Sequence, residues 1–303
     1  AGNDYKVLSE IRDNGSGLQY SSLLGDKDEN LLCFNKKKDK KDIVMAYHEK
    51  PTKKVKTQAK LVKNGEKQIL DIPGFKNDYY LNLLDAYNEN IITTVLYSSV
   101  FVFNRKTKKI GLCSSLEHEE IQPTCVKFSA NGSDLLSVGS EEGELHLVDF
   151  TNNKKLAGTA IHKARIGCID WNTRCDTLLA TGSKDKTIAL YDTRTSKAKI
   201  MENQFHYGEI CGLKWSPNGL ELASGGNDNL INIWDLRSLA KPKLTITDHT
   251  AAVRALDWCP WDSNTLASGG GSGDMRLMIH DTQKNVCMKN IHTSSQVCAL
   301  LWE

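Results

Sequence analysis

The chain has 303 residues and a formal net charge of +2, and 40% of its residues are hydrophobic and 25% are charged. This composition is typical of a globular protein in water, and its nearly neutral balance does not require a nucleic-acid partner. No apolar run approaches the roughly 18 residues of a membrane-spanning helix, and the first residues, AGNDYKVLSEIRDNG, lack the apolar segment of a signal peptide. We therefore expect a protein of the nucleus and cytoplasm without a membrane partner.

Residues 1–67 form the first predicted region. Between Lys36 and Lys67 there are twelve lysines, no arginine and few large apolar residues. Such a segment cannot bury enough apolar surface to fold by itself, which favours a solvated Lys-rich extension or linker. A basic docking segment is the alternative interpretation.

After residue 67, one aromatic position recurs at a nearly constant interval. The segments CVKF, CIDW, GLKW, ALDW and ALLW end at Phe128, Trp171, Trp215, Trp258 and Trp302, which are 43 or 44 residues apart. Ala86 occupies the same place 42 residues before Phe128. Short apolar strands and polar turns alternate within each repeat, and a third strand usually ends in Asp. A repeat of about 40–45 residues with four strands is typical of a β-propeller blade.

These repeats predict an all-β fold over residues 68–303. We expect a seven-bladed WD-repeat β-propeller, of which only about five complete blades are present in this chain. The last repeat begins at SQVCALLWE and stops at Glu303 after its first strand. Because natural proteins avoid open sheet edges, we expect the sequence to be truncated at its C-terminus.

The fourth repeat contains the segment SGGNDNLINIWDLR at residues 224–237. It resembles a WD-repeat blade with all four members of the structural hydrogen-bonded tetrad, which are His206, Ser224, Asp228 and Trp234. Buried polar groups need such partners, so Asp228 is expected to be structural. The tetrad does not explain Asn227 and Asn229, because the preceding repeat has Lys184 and Lys186 at those two places.

The cysteines and histidines do not predict a metal or catalytic centre. Nine cysteines without a C-x-x-C pair, several of them inside apolar strands, indicate buried free thiols in a reducing compartment. Five of the eight histidines follow the repeat period, which favours a structural role. The segment GGGSGD lacks the Gly-Lys-Ser/Thr ending of a phosphate-binding loop. We expect neither a metal nor a cofactor.

Four longer segments carry a more specific resemblance. ILDIPGFKNDYYLNLLD, CGLKWSPNGLELASGGNDNLINIWD, DHTAAVRALDWCPWDSNTLASGGG and SQVCALLW resemble the Fizzy family over about residues 68–303. This family comprises WD-repeat activators of the anaphase-promoting complex, and includes the cell division cycle protein twenty and Fizzy-related branches. The resemblance implies a non-enzymatic adaptor that recognises KEN-box and destruction-box degrons in cell-cycle proteins for this ubiquitin ligase. The partners it implies are subunits of the complex, degron-bearing substrates or pseudosubstrate inhibitors, and spindle-checkpoint proteins.

The resemblance also assigns residues to two degron sites. The KEN-box receptor is predicted over the central channel, where Asn227, Asn229, Ser272 and Gln296 are expected to share one rim and Asp85, on an innermost strand, is expected to face the channel. Amides suit the Asn of the degron, and a carboxylate suits its Lys. The alternative interpretation is that the two Asn only tolerate the geometry of a turn. Asp78 matches the acid that receives the Arg of the destruction box, and its alternative is an ordinary carboxylate at a strand edge.

Two other classes of function compete with the adaptor. A WD-repeat scaffold of another nuclear or cytosolic assembly would keep the period, but it would not need the Asn-Asp-Asn turn. An enzyme built on a propeller would need converging catalytic groups, and the sequence has no nucleophile elbow. Binding of a KEN peptide separates the adaptor from both.

Overall fold

The computed structural model describes residues 70–113, 121–130, 132–195, 197–201 and 205–302. In these residues the regular structure consists of twenty β-strands in five four-stranded sheets. None of the described segments forms a helix with the length and apolar character needed to cross a membrane. The predicted Lys-rich extension, residues 1–67, lies outside the described residues.

Each sheet contains four consecutive strands, numbered here in chain order. The first comprises β1 (Leu84–Ala86), β2 (Ile91–Leu96), β3 (Ser99–Asn104) and β4 (Lys109–Leu112). The second comprises β5 (Pro123–Phe128), β6 (Leu135–Ser140), β7 (Glu144–Asp149) and β8 (Lys154–Ala160). The third comprises β9 (Ile166–Trp171), β10 (Leu178–Ser183), β11 (Ile188–Asp192) and β12 (Lys197–Met201). The fourth comprises β13 (Ile210–Trp215), β14 (Glu221–Gly226), β15 (Ile231–Asp235) and β16 (Leu244–Ile246), and the fifth comprises β17 (Val253–Trp258), β18 (Thr265–Gly270), β19 (Arg276–Asp281) and β20 (Val286–His292).

Neighbouring strands in every sheet pair antiparallel, as expected for strands joined by short turns. In the fourth sheet, for example, Leu222 of β14 lies between Trp215 of β13 and Trp234 of β15. The first strand of each sheet contacts the first strand of the next, so β1, β5, β9, β13 and β17 are innermost. The sheets are therefore the blades of a propeller, and the predicted all-β WD-repeat architecture is confirmed.

The hydrophobic core lies between the blades. Each of four buried clusters joins residues of two consecutive sheets, from the first pair of blades to the last. Between the third and fourth blades, Trp215 and Trp234 are grouped with Ile188 and Leu190, and all four are almost fully buried. Truncating a buried Trp to Ala typically costs about 3–5 kcal/mol, so contacts between blade faces contribute strongly to stability.

The recurring aromatic residues lie where the period predicts them. The last residues of β5, β9, β13 and β17 are Phe128, Trp171, Trp215 and Trp258. Ala86 ends β1 at the corresponding place. The next residue, Tyr87, supplies an aromatic ring there, because it lies 5.4 Å from the ring of Phe128 and 5.3 Å from that of Phe150.

The chain beyond β20 continues along the fifth blade. The backbone N–H of Val297 donates to the carbonyl of Gly270 at 3.0 Å, and that of Trp302 donates to Oδ2 of Asp257 at 2.8 Å. The N–H of Trp215 makes the same bond to Asp170 of the third blade. Residues 297–302 therefore follow the path of an innermost strand beside β17.

Candidate functional site

The Asn-Asp-Asn turn joins β14 to β15 next to the residue that precedes β13. Asn227 donates its backbone N–H to the carbonyl of Glu209 at 2.8 Å, and Asn229 donates to Gly226 at 3.2 Å. Asn229 has a φ of 68°, and Lys186 has a φ of 72° at the same place in the third blade. Asn is one of the few residues that adopt this left-handed conformation readily. The geometry of the turn therefore explains why Asn occupies position 229. It does not explain the exposed Asn227.

Asp228, between the two Asn, is held by the start of its own blade. Its carboxylate accepts from Nδ1 of His206 at 2.9 Å and from the backbone N–H of Tyr207 at 2.7 Å. Burial disfavours the charged form of Asp228 and raises its pKa. The hydrogen bond and electrostatic attraction from His206, together with hydrogen bonds from backbone N–H groups, outweigh burial, so the pKa of Asp228 is lowered. The turn is therefore anchored to the residues that lead into β13.

The four predicted tetrad residues form a continuous chain of hydrogen bonds. Nδ1–H of His206 donates to Asp228, Nε2 of His206 lies 2.8 Å from Oγ of Ser224, and Nε1–H of Trp234 donates to that Oγ at 2.9 Å. The Asp–His–Ser order resembles a nucleophilic triad in space. However, Ser224 is 0% exposed and accepts the indole N–H, so a substrate has no access to its hydroxyl. The arrangement rigidifies the blade and does not form a catalytic site.

Related networks occur in two other blades. In the third blade, His162 contacts Asp185 at 3.1 Å and Thr181 at 2.8 Å. In the fifth blade the network comprises His249, Ser268, Asp274 and His280, with His280 at the place of the tetrad Trp. This second complete network was not predictable from the repeat pattern, because its turn is longer and His replaces Trp. Asp274 follows Ser268 by six positions, whereas Asp228 follows Ser224 by four.

Tyr80 lies at the same rim as the Asn-Asp-Asn turn. Its hydroxyl donates to Oδ1 of Asn227 at 2.9 Å, which connects the segment before β1 to the fourth blade. Burial raises the pKa of Tyr80, so the hydroxyl is protonated and acts as a donor. The guanidinium of Arg165 lies over the Tyr80 ring, 5.7 Å from its centroid. The role of Tyr80 was not predictable from the sequence, because it depends on a contact between distant repeats.

Arg165 connects two carboxylates at this rim. It makes a two-pronged ion pair with Glu209 at 2.7 and 2.9 Å, and its Nη1 lies 3.4 Å from Oδ2 of Asp78. The Asp78 side chain is 36% exposed, whereas that of Glu209 is 9% exposed. Oδ1 of Asp78 also accepts the backbone N–H of Tyr80 at 2.9 Å. Asp78, the residue predicted for the destruction box, is thus fixed in place and still partly open to solvent.

Ser272 and Gln296 are both exposed in the fifth-blade region. Ser272 lies in the turn from β18 to β19, where the N–H of Gly271 donates to the carbonyl of Ala252. Gln296 precedes Val297, which bonds to Gly270 at the start of that turn. This turn corresponds to the one that carries Asn227 in the fourth blade. Asn227, Asn229, Ser272 and Gln296 therefore share the end of the blades at which the innermost strands begin.

The structure does not bring Asp85 to that rim. Its carboxylate contacts Nζ of Lys127 at 2.8 Å and accepts the backbone N–H of Phe128 at 2.9 Å. These two residues end β5, whereas the rim lies where β5 begins. Five residues of strand span about 16 Å, so Asp85 is roughly one strand length from the predicted receptor. The structure therefore does not bring Asp85 together with the other four residues predicted for the KEN-box site, because a place on an innermost strand does not specify which end of it.

Asp85 belongs to a row of alternating charges on the innermost strands. The residue before the recurring aromatic or Ala position is Asp85, Lys127, Asp170, Lys214 and Asp257 in consecutive blades. Burial opposes the charge of Lys214, but the carboxylates of Asp170 and Asp257 outweigh it and raise the pKa of this ammonium group. Asp170 and Asp257 each accept the backbone N–H of the aromatic residue one repeat later. The row joins neighbouring blades, so its role is structural.

Comparison with known proteins identifies the family. A family model described as the CDC20/Fizzy WD40 domain matches residues 70–303. The WD repeat-containing protein slp1 of Schizosaccharomyces pombe is 40% identical over 84% of this chain and 51% of its own length. The anaphase-promoting complex subunit cdc20 of Dictyostelium discoideum is 38% identical over 82% of this chain and 49% of its own length.

A solved structure is similar in fold and sequence. A chain in a crystal structure of the mitotic checkpoint complex matches with a TM-score of 0.73 and 38% identity, over 84% of this chain and 78% of that one. The present chain spans about half the length of the two curated relatives named above.

Proposed function

Because the chain belongs to the CDC20/Fizzy family of WD-repeat proteins, we propose that it is a substrate-recognition adaptor and activator of the anaphase-promoting complex. It acts by binding KEN-box and destruction-box degrons in the nucleus and cytoplasm, without a catalytic step of its own. One relative is named as a subunit of that complex, and a similar chain occurs in the mitotic checkpoint complex. Both names support the ligase and checkpoint proteins as partners.

The observation that carries the proposal is the anchored Asn-Asp-Asn turn. Asp228 is locked by His206 and Tyr207, so the residues on either side of it have little freedom. Fixed amides lose little conformational entropy when a peptide binds, which favours recognition at this turn. The bond from the buried His206 to Asp228 explains why the turn is rigid, and the exposed side-chain amide of Asn227 is available to contact a peptide.

The contact of Tyr80 defines what Asn227 offers to a ligand. Oδ1 of Asn227 already accepts the tyrosine hydroxyl, so its NH₂ group is the part that donates to a peptide carbonyl or amide. Asn229, Ser272 and Gln296 add half-exposed or exposed polar groups at the same end of the blades. Such a surface suits the polar side chains of a KEN box.

The positive charge of a degron needs a carboxylate at this rim. The carboxylates of Asp78 and Glu209 both form ion pairs with Arg165. Asp78 is more exposed than Glu209 and is more weakly paired. The 3.4 Å contact between Arg165 and Asp78 is long, so a ligand guanidinium or ammonium competes for Asp78 at small cost. We assign Asp78 to the cation of the destruction box.

Fluorescence anisotropy with labelled degron peptides tests the proposal. The variant combines Asn227→Ala with Asn229→Gly, because Gly keeps the left-handed turn while removing the amide. The control combines Lys184→Ala with Lys186→Gly, at the same two places in the third blade. We expect the Asn variant to lose at least about tenfold in affinity for a KEN peptide with stability changed by less than about 1 kcal/mol, and the Lys variant to bind like the parent.

Two outcomes would contradict this assignment. If the parent does not distinguish a KEN peptide from one with Ala at its three positions, the adaptor function is wrong and a WD-repeat scaffold is favoured. If the parent binds but the Asn variant binds equally well, the two Asn are residues of turn geometry only.

A further inference from the structure

Three side chains with metal-ligating atoms converge on the outer half of the fifth blade. Asp248 precedes β17, His280 lies in β19, and Cys287 lies in β20. A carboxylate oxygen, a ring nitrogen and the thiol sulfur of these residues all lie within 4.8 Å of one another. His280 and Cys287 are directly opposed at an irregularity in the pairing of the two strands. The cluster belongs to neither degron site and has no part in the proposed function.

The buried network behind His280 orients its ring. Nε2 of His280 lies 2.9 Å from Oγ of Ser268, and Nδ1 lies 3.7 Å from Oδ2 of Asp248. When the neutral ring of His249 donates to Asp274, its other nitrogen accepts the hydroxyl hydrogen of Ser268. The Ser268 oxygen then accepts Nε2–H of His280, which leaves the Nδ1 lone pair facing the carboxylate. A second hydrogen bond that fixes a His ring in this way is a regular feature of metal ligands.

We propose that Asp248, His280 and Cys287 bind a divalent transition-metal ion of the zinc type, with water as the fourth ligand. Oxygen, imidazole and thiolate donors are the ligands that zinc accepts. Tetrahedral bonds of about 2.0–2.3 Å place ligand atoms about 3.3–3.8 Å apart. The 3.7 Å between Nδ1 and Oδ2 is close to the upper end of this range, and small movements of the exposed Asp248 and half-buried Cys287 side chains bring all three ligand atoms to bonding distance of one ion.

Exposure and charge also fit a metal site. The Asp248 side chain is 47% exposed and that of His280 is 2% exposed, so the site opens to solvent on one side and is held by the blade on the other. Arg276 donates to the carbonyl of Asp248 at 2.9 Å, which fixes the backbone of that ligand. The charge of Arg276 is balanced by its ion pair with the buried Asp274. When the Cys287 thiol releases its proton to solvent, carboxylate and thiolate together neutralise a divalent ion.

The ion would clamp the fifth blade. It connects the segment before the innermost strand β17 to the two outer strands β19 and β20, which carry the other two ligands. Because a metal that binds the folded state stabilises it by mass action, zinc should raise the melting temperature. No sequence motif predicts this site, since the ligands have no C-x-x-C or similar spacing and come together through strand pairing.

Competition with a chromophoric zinc chelator tests the site on the reduced chain without a polyhistidine tag. Cys287→Ser and Asp248→Asn remove one ligand each, and Cys298→Ser is the control because Cys298 is an exposed thiol outside the cluster. We expect the parent and Cys298→Ser to bind one more equivalent of Zn²⁺ than Cys287→Ser does, and Asp248→Asn to bind that equivalent at least about tenfold more weakly. With Co²⁺ as the probe, a thiolate-to-metal charge-transfer band should appear in the parent and be absent in Cys287→Ser.

The result that overturns the proposal is equal Zn²⁺ binding, in number and affinity, by the parent and Cys287→Ser. A parent that binds Co²⁺ without the thiolate band also overturns it. If Cys287→Ser fails to fold, Asp248→Asn decides the matter, because its exposed side chain is replaced by one of the same shape. Unchanged zinc affinity and unchanged zinc-induced melting shift in Asp248→Asn would then refute the site.

Discussion

The hydroxyl of Tyr80 donates a 2.9 Å hydrogen bond to Oδ1 of Asn227, although 147 residues separate the two in the chain. This bond links the segment that enters the first blade to the turn in the fourth blade. It restrains the amide that we assign to degron binding and leaves its NH₂ group as the donor. The candidate site is therefore shared between a turn and the segment that lies against it.

Replacing Tyr80 by Phe should weaken KEN-peptide binding by about threefold to tenfold, because the Asn227 amide then has to be ordered by the ligand itself. Stability should change little, since both groups are near solvent. Tyr207→Phe is the control, because this residue is 75% exposed at the same end of the blade. Anisotropy titrations measure both. Equal affinities of the two variants and the parent would show that the Tyr80 bond does not prepare Asn227.

The left-handed backbone of Asn229 predicts that two substitutions at this position differ in their effect on stability. Asn229→Gly should be nearly neutral because Gly adopts a φ near 68° freely, whereas Asn229→Val should destabilise the protein by about 1–2 kcal/mol. Lys186→Val, at a φ of 72°, should destabilise by a similar amount. Chemical denaturation measures these differences. A Val variant as stable as the parent would mean that the turn relaxes without difficulty.

Asp228→Ala should lower the free energy of unfolding by about 1–3 kcal/mol, because His206 and the Tyr207 N–H lose their buried acceptor. The exposed Asp134 provides a matched control, and Asp134→Ala should change stability by less than about 0.5 kcal/mol. Urea unfolding followed by tryptophan fluorescence compares the two. Identical unfolding curves would show that the tetrad does not stabilise the blade.

The lowered pKa of Asp228 predicts how stability depends on pH. A carboxyl whose folded pKa lies below its ordinary value of 3.8 contributes stability above about pH 4, and that contribution is lost as the pH falls through the lowered pKa. Asp228→Asn does not titrate, so its stability should fall less steeply than that of the parent below about pH 4. Denaturation at a series of acidic pH values measures the two slopes. Parallel slopes would contradict the ionised state of Asp228 in the fold.

Substitutions of Asp85 and Asp78 should affect different properties, with Asp85→Ala lowering stability and Asp78→Ala lowering degron affinity. Asp85→Ala leaves Lys127 and the Phe128 N–H without their acceptor, so we expect a loss of about 1–3 kcal/mol of stability with KEN affinity within about twofold of the parent. Asp78→Ala should do the reverse and weaken destruction-box binding. Melting curves and anisotropy on both variants test this. A selective loss of KEN binding in Asp85→Ala would return Asp85 to the receptor.

The fold was largely predictable because its determinants are local and periodic. The aromatic residues Phe128, Trp171, Trp215 and Trp258 recur at the blade period, and each ends an innermost strand. The tetrad of the fourth blade was predictable for the same reason, since its four residue types occur at their usual spacing. The equivalent network ending in His280 was not, because a longer turn and a His in place of Trp remove it from the pattern.

The amino-acid sequence by itself determined the all-β propeller, the limits of its repeats and the structural role of Asp228, because alternating apolar residues and turn residues act over a few positions. Only the tertiary structure decided which polar residues meet. Strand direction places Asp85 about 16 Å from the rim, and packing between blades brings Tyr80 to Asn227. Strand pairing likewise collects Asp248, His280 and Cys287, whose separation in the chain contains no information about the distances between their ligating atoms.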